Sequence, residues 1–136
     1  MRVLIVDDDE AIRDGLRHIV ENLGAEVIAE ADDGRSGIES AKEYEPELIL
    51  LDVSMPGMNG ITAARQLLEI MPKVPIVLVS QHSNRVYAEE AMQIGVKAFV
   101  LKRSAVTELP AAIPAVMQGS TFISPTIVPR PERRPA

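Results

Sequence analysis

Short apolar runs alternate with segments of helical periodicity along almost the whole chain, and this alternation restricts the folds open to it. The apolar runs have the length and turn-residue flanks of buried strands; they cover residues 3–6, 27–31, 48–51, 76–79 and 98–101. Between them, apolar residues recur every three or four positions, as Ile12, Leu16 and Ile19 do. Five strands alternating with five helices predict an α/β fold, a parallel sheet with helices on both faces. Right-handed crossovers and a central first strand favour a doubly wound, flavodoxin-like (βα)5 sheet.

The last helical segment fits this scheme least well. Apolar residues between positions 106 and 116 have helical spacing, but Pro110 and Pro114 lie among them. A proline inside a helix removes a hydrogen bond and clashes with the preceding turn. We therefore expect Pro110 in the first turn of the helix, and a kink or a late start of the helix at Pro114.

Length and composition limit the class of protein. A chain of 136 residues, 46% of them hydrophobic, suits one domain with a real core. The absence of cysteine excludes disulfides and thiolate metal sites, and no apolar run approaches the ~20 residues of a membrane span. The net charge of −6 argues against nucleic-acid binding by these residues alone. We expect a cytoplasmic protein without membrane contact.

Polar residues follow most of the predicted strands. Asp7, Asp8 and Asp9 follow the first strand, Asp52 the third, Ser80 the fourth and Lys102 the fifth. The carboxyl ends of parallel strands meet at the edge where open α/β sheets bind ligands. Asp52 precedes the next predicted helix start, Asn59, by seven residues, so a role as the cap of that helix is the weaker account of this residue.

The charges of this edge predict a metal and a phosphoryl group. Two carboxylates ~4 Å apart repel by about 4 kcal/mol at an effective dielectric constant near 20, so Asp7, Asp8 and Asp52 together require cations. Lys102 supplies one positive charge, and Mg²⁺, which prefers oxygen ligands, would supply the rest. An Asp nucleophile, a metal ion and a lysine suit transfer of a phosphoryl group onto a carboxylate.

These motifs resemble the receiver domain of two-component response regulators. The resemblance covers about residues 1 to 120, from the acidic residues 7–9 through the loop of residues 50–60 and Ser80 to the strand that ends at Lys102. It implies a histidine kinase as phosphodonor and self-catalysed phosphoryl transfer and autodephosphorylation rather than turnover of a substrate. Homodimer formation on activation is a further family expectation.

The resemblance also implies a role for each site residue. Asp52 would be the phosphoacceptor, and Asp8, Asp52 and the Ser54 backbone carbonyl would bind Mg²⁺, with Asp7 acting through water. Lys102 would pair with the phosphoryl group.

Further roles concern the switch and the lifetime of the phosphoryl group. Ser80 would hydrogen-bond the phosphoryl group and work with Phe99 as the switch pair. Ser54 and His82 would tune the phosphoryl lifetime, although His82 is read equally well as an exposed loop residue.

The C-terminal part resembles the NarL/LuxR type of receiver, which precedes a helix-turn-helix domain that binds DNA. That domain is not in this chain, so we expect DNA contact and control of transcription only through it. Residues 121–136 are rich in proline and arginine and are predicted to be a linker or tail. Many receivers have Lys-Pro where this chain has Lys102-Arg103, and the sequence leaves open whether that bond is cis.

Other function classes stay open. A stand-alone receiver would act through protein–protein contact. A small Mg²⁺-dependent phosphatase of the haloacid dehalogenase type also uses an Asp nucleophile, but Ala11 occupies a position where its motif requires Thr or Val. A flavodoxin-like cofactor binder is disfavoured because acids, which repel a phosphate, follow the first strand.

Overall fold

The computed structural model describes residues 1–127; the part of the predicted tail formed by residues 128–136 lies outside the described residues. Strands and helices alternate in the predicted order. They are β1 (Arg2–Val6), α1 (Glu10–Asn22), β2 (Glu26–Ala31), α2 (Gly34–Tyr44), β3 (Leu48–Asp52), α3 (Gly60–Ile70), β4 (Ile76–Ser80), α4 (Arg85–Ile94), β5 (Ala98–Leu101), α5 (Ala105–Met117) and β6 (Phe122–Ile123). A short 3-10 helix, Lys102–Ser104, joins β5 to α5.

The strands form one parallel sheet in the order β2-β1-β3-β4-β5-β6. The first strand is therefore internal, as predicted, and the chain reverses its direction of travel across the sheet between β1 and β3. Because β1, β3, β4 and β5 are neighbours, the residues that follow them lie along one edge. This order positions the site described below.

Two apolar layers cover the sheet. Alternate residues of each strand point to opposite faces, so one face packs on α2, α3 and α4 and the other on α1 and α5. Leu4, Ile49 and Leu78 are on the first face, and Ile5 and Leu50 are on the second. The central strands are buried on both sides, which explains why they appear in the sequence as continuous apolar runs.

Side chains cap the starts of the first four helices. Asp9, Asp33, Asn59 and Asn84 each accept a hydrogen bond from a backbone N–H of the first helical turn. The cap of α3 is thus Asn59, and Asp52 is left free for another role.

The sheet differs from the prediction in having six strands rather than five. Strand β6 pairs with β5, with Phe122 opposite Ala98 and Ile123 opposite Phe99. A two-residue strand is too short to give a periodic signal. Its existence depends on hydrogen bonds to residues of β5 and its flank, which lie more than 20 positions earlier in the sequence. The first residues of the predicted tail therefore pack on the body.

The last helix is also more regular than predicted. Pro110 and Pro114 both lie inside α5, with Pro110 beyond its first turn. Both prolines are exposed, as is Val106 one turn before Pro110. Water can therefore reach the carbonyl groups that the prolines leave without a helical partner, while Leu109 and Ile113 on the other side are buried and hold the helix in place.

None of the peptide bonds in residues 1–127 is cis, including Lys102-Arg103. Within the same residues, no helix is both long enough and apolar enough to span a bilayer.

Candidate functional site

Three acidic side chains meet at the carboxyl edge of the sheet. Asp7 and Asp8 follow β1, and Asp52 is the last residue of the adjacent strand β3. One carboxylate oxygen of each lies within 4.8 Å of those of the other two. Asp7 and Asp52 are buried, whereas Asp8 is exposed. The acidic cluster predicted from strand ends is thus present, with Asp8 on its solvent side.

The backbone fixes two of these carboxylates. Asp7 Oδ1 accepts a hydrogen bond from the Asp9 N–H at 2.9 Å, and Asp52 Oδ1 accepts one from the Ser54 N–H at 3.2 Å. Both are short-range turns that form as the chain leaves a strand. Each carboxylate is therefore oriented by the loop that follows it.

Gly60, at the start of α3, allows the helix to approach Asp52. Its N–H donates to the Val53 carbonyl at 2.6 Å, and a Cβ at this position would lie 2.1 Å from the Asp52 carbonyl oxygen. Only glycine lacks the Cβ that would collide there. The turn residues that predicted a loop after β3 thus include one that is sterically required.

Lys102 lies between the two buried acids. Its Nζ is 3.0 Å from Asp7 Oδ2 and 3.1 Å from Asp52 Oδ1, and its side chain is only 10% exposed. Burial alone would lower the pKa of Lys102, but the hydrogen bond to Asp7 and the charges of Asp52 and Asp7 raise it instead. Lys102 is therefore held as a cation inside the cluster.

The pKa of Asp52 is raised to about 6, first by burial and then by the negative charge of Asp7. Lys102 and the Ser54 N–H oppose this increase. Asp52 is only 1% exposed. At neutral pH the Asp52 carboxyl group is mostly ionised, but nearby positive charge balances its negative charge only in part. A further cation would stabilise the ionised group.

The donor atoms fit such a cation. Asp52 Oδ2 is buried and has no hydrogen-bond partner among residues 1–127. Buried polar atoms without partners are rare in folded proteins and are often explained by an ion or a water molecule. Asp52 forms, together with Asp7 and Asp8, an acidic pocket of the kind that is typical of Mg²⁺ binding.

The remaining predicted residues lie around this cluster. Ser80 is buried at the end of β4, and its hydroxyl donates to the His82 carbonyl and accepts from the His82 N–H, both at 3.0 Å. His82 itself is exposed and meets Ser80 through its main chain. Phe99 is fully buried on β5, opposite Leu78 of β4 and on the face covered by α4.

Arg13 of α1 was missed in the sequence. Its Nη1 donates to the Asp7 carbonyl at 2.6 Å, and its Nε is 3.2 Å from Glu30 Oε1 at the end of β2. Arg17 pairs with the other oxygen of Glu30. Glu30, the residue before the last one of β2, thus helps to hold the arginine that supports Asp7. Arg13 lies six residues after Asp7, on the turn of α1 nearest the site. This position in the sequence could have indicated that Arg13 reaches Asp7.

Comparison with known proteins places this arrangement in a family. The model of the response regulator receiver domain matches residues 3–114. The response regulator GacA of Pseudomonas viridiflava is 33% identical over 128 residues, covering 93% of this chain and 60% of GacA. The chemotaxis protein CheY of Thermotoga maritima is 39% identical over 101 residues, covering 74% of this chain and 84% of CheY.

Solved structures of response regulators are also similar to this chain. A two-component response regulator of the LuxR family from Aurantimonas sp. SI85-9A1 superposes with a TM-score of 0.88 at 31% identity, covering 93% of this chain and 91% of that one. The receiver domain of NarL from Mycobacterium tuberculosis gives a TM-score of 0.80 at 33% identity, covering 87% and 96%.

A doubly wound parallel sheet with three acids and a lysine at its carboxyl edge is the architecture of a receiver domain. The chain belongs to the response regulator receiver domain family. Its relatives include regulators of the NarL/LuxR type, as the sequence predicted. The chain spans 54% of the DegU protein of Brevibacillus brevis and 60% of GacA, somewhat more than half of those regulators.

Proposed function

We propose that this receiver accepts a phosphoryl group on Asp52 from a histidine kinase and changes conformation in response. The observation that carries the proposal is the buried Asp52 carboxylate, held between the Lys102 ammonium group and two further acids at the carboxyl edge of the sheet. Membership of the receiver family supports the same conclusion.

The chemistry is nucleophilic attack by a carboxylate. An oxygen of ionised Asp52 forms a bond to phosphorus as the bond from phosphorus to the histidine nitrogen of the donor breaks, and the imidazole leaves with the electron pair. With a pKa of about 6, Asp52 is mostly ionised at neutral pH and more basic than an ordinary aspartate. Lys102 is in place to pair with the transferred phosphoryl oxygens.

Mg²⁺ would be held by Asp8, Asp52 and the Ser54 backbone carbonyl, with Asp7 acting through water. When bound at these residues, Mg²⁺ would supply positive charge against the phosphoryl oxygens. Support for this assignment comes from the proximity of the three carboxylates and from the unpartnered Asp52 Oδ2.

The conformational response would begin at Ser80. Its hydroxyl is occupied by the His82 main chain in this structure and would turn to the phosphoryl group on Asp52. Phe99, buried beside β4, would change its packing when Ser80 moves. Ser54 and His82, at the rim, would tune how long the phosphoryl group lasts.

The output is proposed to be transcriptional, through a helix-turn-helix domain outside this chain. The coverage of GacA and the similarity to a LuxR-family regulator support this proposal. RcsB of the same structural group has been solved as dimers bound to DNA, which supports homodimer formation on activation. We propose a receiver over residues 1–120, followed by a C-terminal segment from residue 121.

A second output mode is supported by a different relative. The aligned residues cover 84% of the Thermotoga maritima CheY protein, so that protein consists of little more than the region it shares with this chain. A stand-alone receiver would act by contact with another protein.

Intact-mass analysis tests the phosphoacceptor. With Mg²⁺ and acetyl phosphate, the 136-residue chain should gain the mass of one phosphoryl group in a base-labile linkage, and Asp52→Asn should not gain it. Asp32→Asn is the matched control, because Asp32 follows β2 at the same edge but lies outside the acidic cluster. If Asp52→Asn gained as much phosphoryl mass as the chain without the substitution, Asp52 would be ruled out as the acceptor.

A further inference from the structure

The residues that follow α5 are attached to the receiver by polar groups that play no part in the phosphoryl site. Strand β6 is bonded to β5 through the Phe122 N–H, which donates to the Lys97 carbonyl at 3.0 Å. The Ser124 N–H donates to the Phe99 carbonyl at 2.8 Å. The main chain of Phe99, the proposed switch residue, is thus hydrogen-bonded directly to the C-terminal segment.

A buried hydrogen-bond chain secures this segment from the side of α5. Ser124 Oγ donates to Glu108 Oε2 at 2.8 Å and lies 2.8 Å from Thr126 Oγ1. Since the single hydroxyl proton of Ser124 is given to Glu108, the Thr126 hydroxyl is the donor to Ser124. Glu108 and Ser124 are only 5% and 2% exposed.

Glu108 is an unusual residue at this position. A carboxyl group is rarely buried unless it is paired, and Glu108 Oε1 has no hydrogen-bond partner among residues 1–127. Within the described part of the chain, the Glu108 side chain accepts a hydrogen bond only from Ser124. The docked C-terminal segment therefore supplies the hydrogen bond that one oxygen of this buried carboxyl group accepts.

An apolar contact completes the docking. Ile127 is 6% exposed and belongs to the apolar cluster that includes Phe99 and the α4 residues Ala88 and Ala91. Ile123, in the same segment, is 47% exposed. The segment therefore inserts one side chain into the layer that contains the switch residue and the helix beside it.

We propose that residues 122–127 form a latch that reports the state of Asp52 to the chain that follows. This inference rests on the proposed function. When Ser80 turns to the phosphoryl group and Phe99 repacks, the cluster that receives Ile127 and the strand that receives Ser124 both change, and the latch loosens. Glu108, Ser124, Thr126 and Ile127 hold it closed in the unphosphorylated receiver.

Amide hydrogen exchange of the full 136-residue chain tests the latch. The Ser124 and Ile127 amides should exchange about tenfold faster after treatment with acetyl phosphate and Mg²⁺, a coupling within the range usual for such switches. Asp52→Asn given the same treatment should show no change. Intact mass of the same sample measures the phosphorylated fraction.

The outcomes separate the two proposals. Unchanged exchange in a sample whose mass shows one phosphoryl group per chain overturns the latch and leaves the phosphoacceptor standing. A sample that gains no phosphoryl group overturns the proposed function, and the latch falls with it.

Reciprocity gives a second measurement. If phosphorylation loosens the latch, loosening the latch must favour the phosphorylated conformation to the same degree. Ser124→Ala and Ile127→Ala should therefore bind the phosphomimetic beryllofluoride, used with the RcsB receiver, about tenfold more tightly. The matched controls Ser120→Ala and Ile123→Ala alter exposed side chains and should bind it as the unmodified chain does. Equal affinity in all four variants contradicts the latch.

Discussion

Asp52 combines almost complete burial with a charge that the folded protein keeps at neutral pH. Burial and Asp7 disfavour that charge, and Lys102 compensates only part of it. A buried charge that is only partly balanced, with a correspondingly shifted pKa, is a usual feature of functional sites. It predicts two measurable properties for the site, an affinity for cations and a stability that depends on pH.

The first residue-scale prediction separates metal ligands from the phosphoryl partner. Asp8→Asn should weaken Mg²⁺ binding by about tenfold or more, since loss of groups that support a metal already costs 10- to 100-fold. Lys102→Ala should bind Mg²⁺ as well as the unmodified chain or better, because it removes a nearby cation. Calorimetric titration with Mg²⁺ measures both. Undiminished affinity in Asp8→Asn would exclude Asp8 from the metal site.

The second concerns pH. The pKa of Asp52 is about 6 in the folded protein and about 3.9 in an unfolded chain, so the folded state binds the proton more tightly. Its contribution to stability is fully present below about pH 4 and is lost as the pH rises through about 6.

Asp52→Asn cannot ionise and avoids this loss. Without Mg²⁺ at about pH 7.5, it should melt roughly 3 °C or more above the unmodified chain, since about 1 kcal/mol corresponds to a few degrees at this size. The difference should shrink toward about pH 4.5. Thermal melts across this pH range, with Asp32→Asn as control, provide the measurement; a difference independent of pH would contradict the assignment.

At the scale of elements, the approach of α3 to the end of β3 shapes the site. The first residue of α3 is packed against the Asp52 peptide, so the position of the helix and the position of Asp52 depend on each other. The sequence placed α3 correctly from its cap and its periodicity. It did not show that the contact between the two elements requires glycine.

Gly60→Ala tests that contact. Its Cβ would meet backbone atoms of Asp52 and Val53, which cannot move aside as a side chain can, so we expect destabilisation by about 2 kcal/mol or more. Phosphorylation of Asp52 should fall as well. Gly15→Ala is the matched control: nothing lies within 4 Å of its added Cβ, and it should stabilise α1 by about 0.5–1 kcal/mol. Chemical denaturation of both variants measures the contrast, and equal stabilities would refute it.

At the scale of the whole molecule, charge limits what the chain can bind. The net charge of −6 makes the body repel phosphate backbones at long range. Output through DNA would therefore depend on residues that this chain does not contain.

We expect the 136-residue chain, phosphorylated or not, to show no sequence-specific affinity for DNA at about 0.15 M salt, because no recognition helix occurs among the described residues. Fluorescence anisotropy with labelled duplexes is the measurement. Specific binding that survives competition by unrelated DNA would show that the receiver reads DNA by itself.

The sequence alone determined the alternation of strands and helices, the start of α3 at Asn59 and the position of Asp52 at the end of a buried strand. Each of these features follows from the spacing of apolar residues and from the turn residues that flank them. A short window of residues is therefore enough to predict it. The rule that parallel strands present their carboxyl ends at one edge then brought Asp7, Asp8, Asp52 and Lys102 together without knowledge of the contacts.

Only the tertiary structure decided the features that depend on distant partners. Strand β6 exists because Lys97 and Phe99 offer it hydrogen bonds, and Pro110 and Pro114 remain helical because the opposite side of α5 is buried. The support that Arg13 gives to Asp7 and the burial of Glu108 beside Ser124 depend on how elements pack. No local pattern encodes such contacts, because their free energy arises only when segments far apart in sequence have already been brought together.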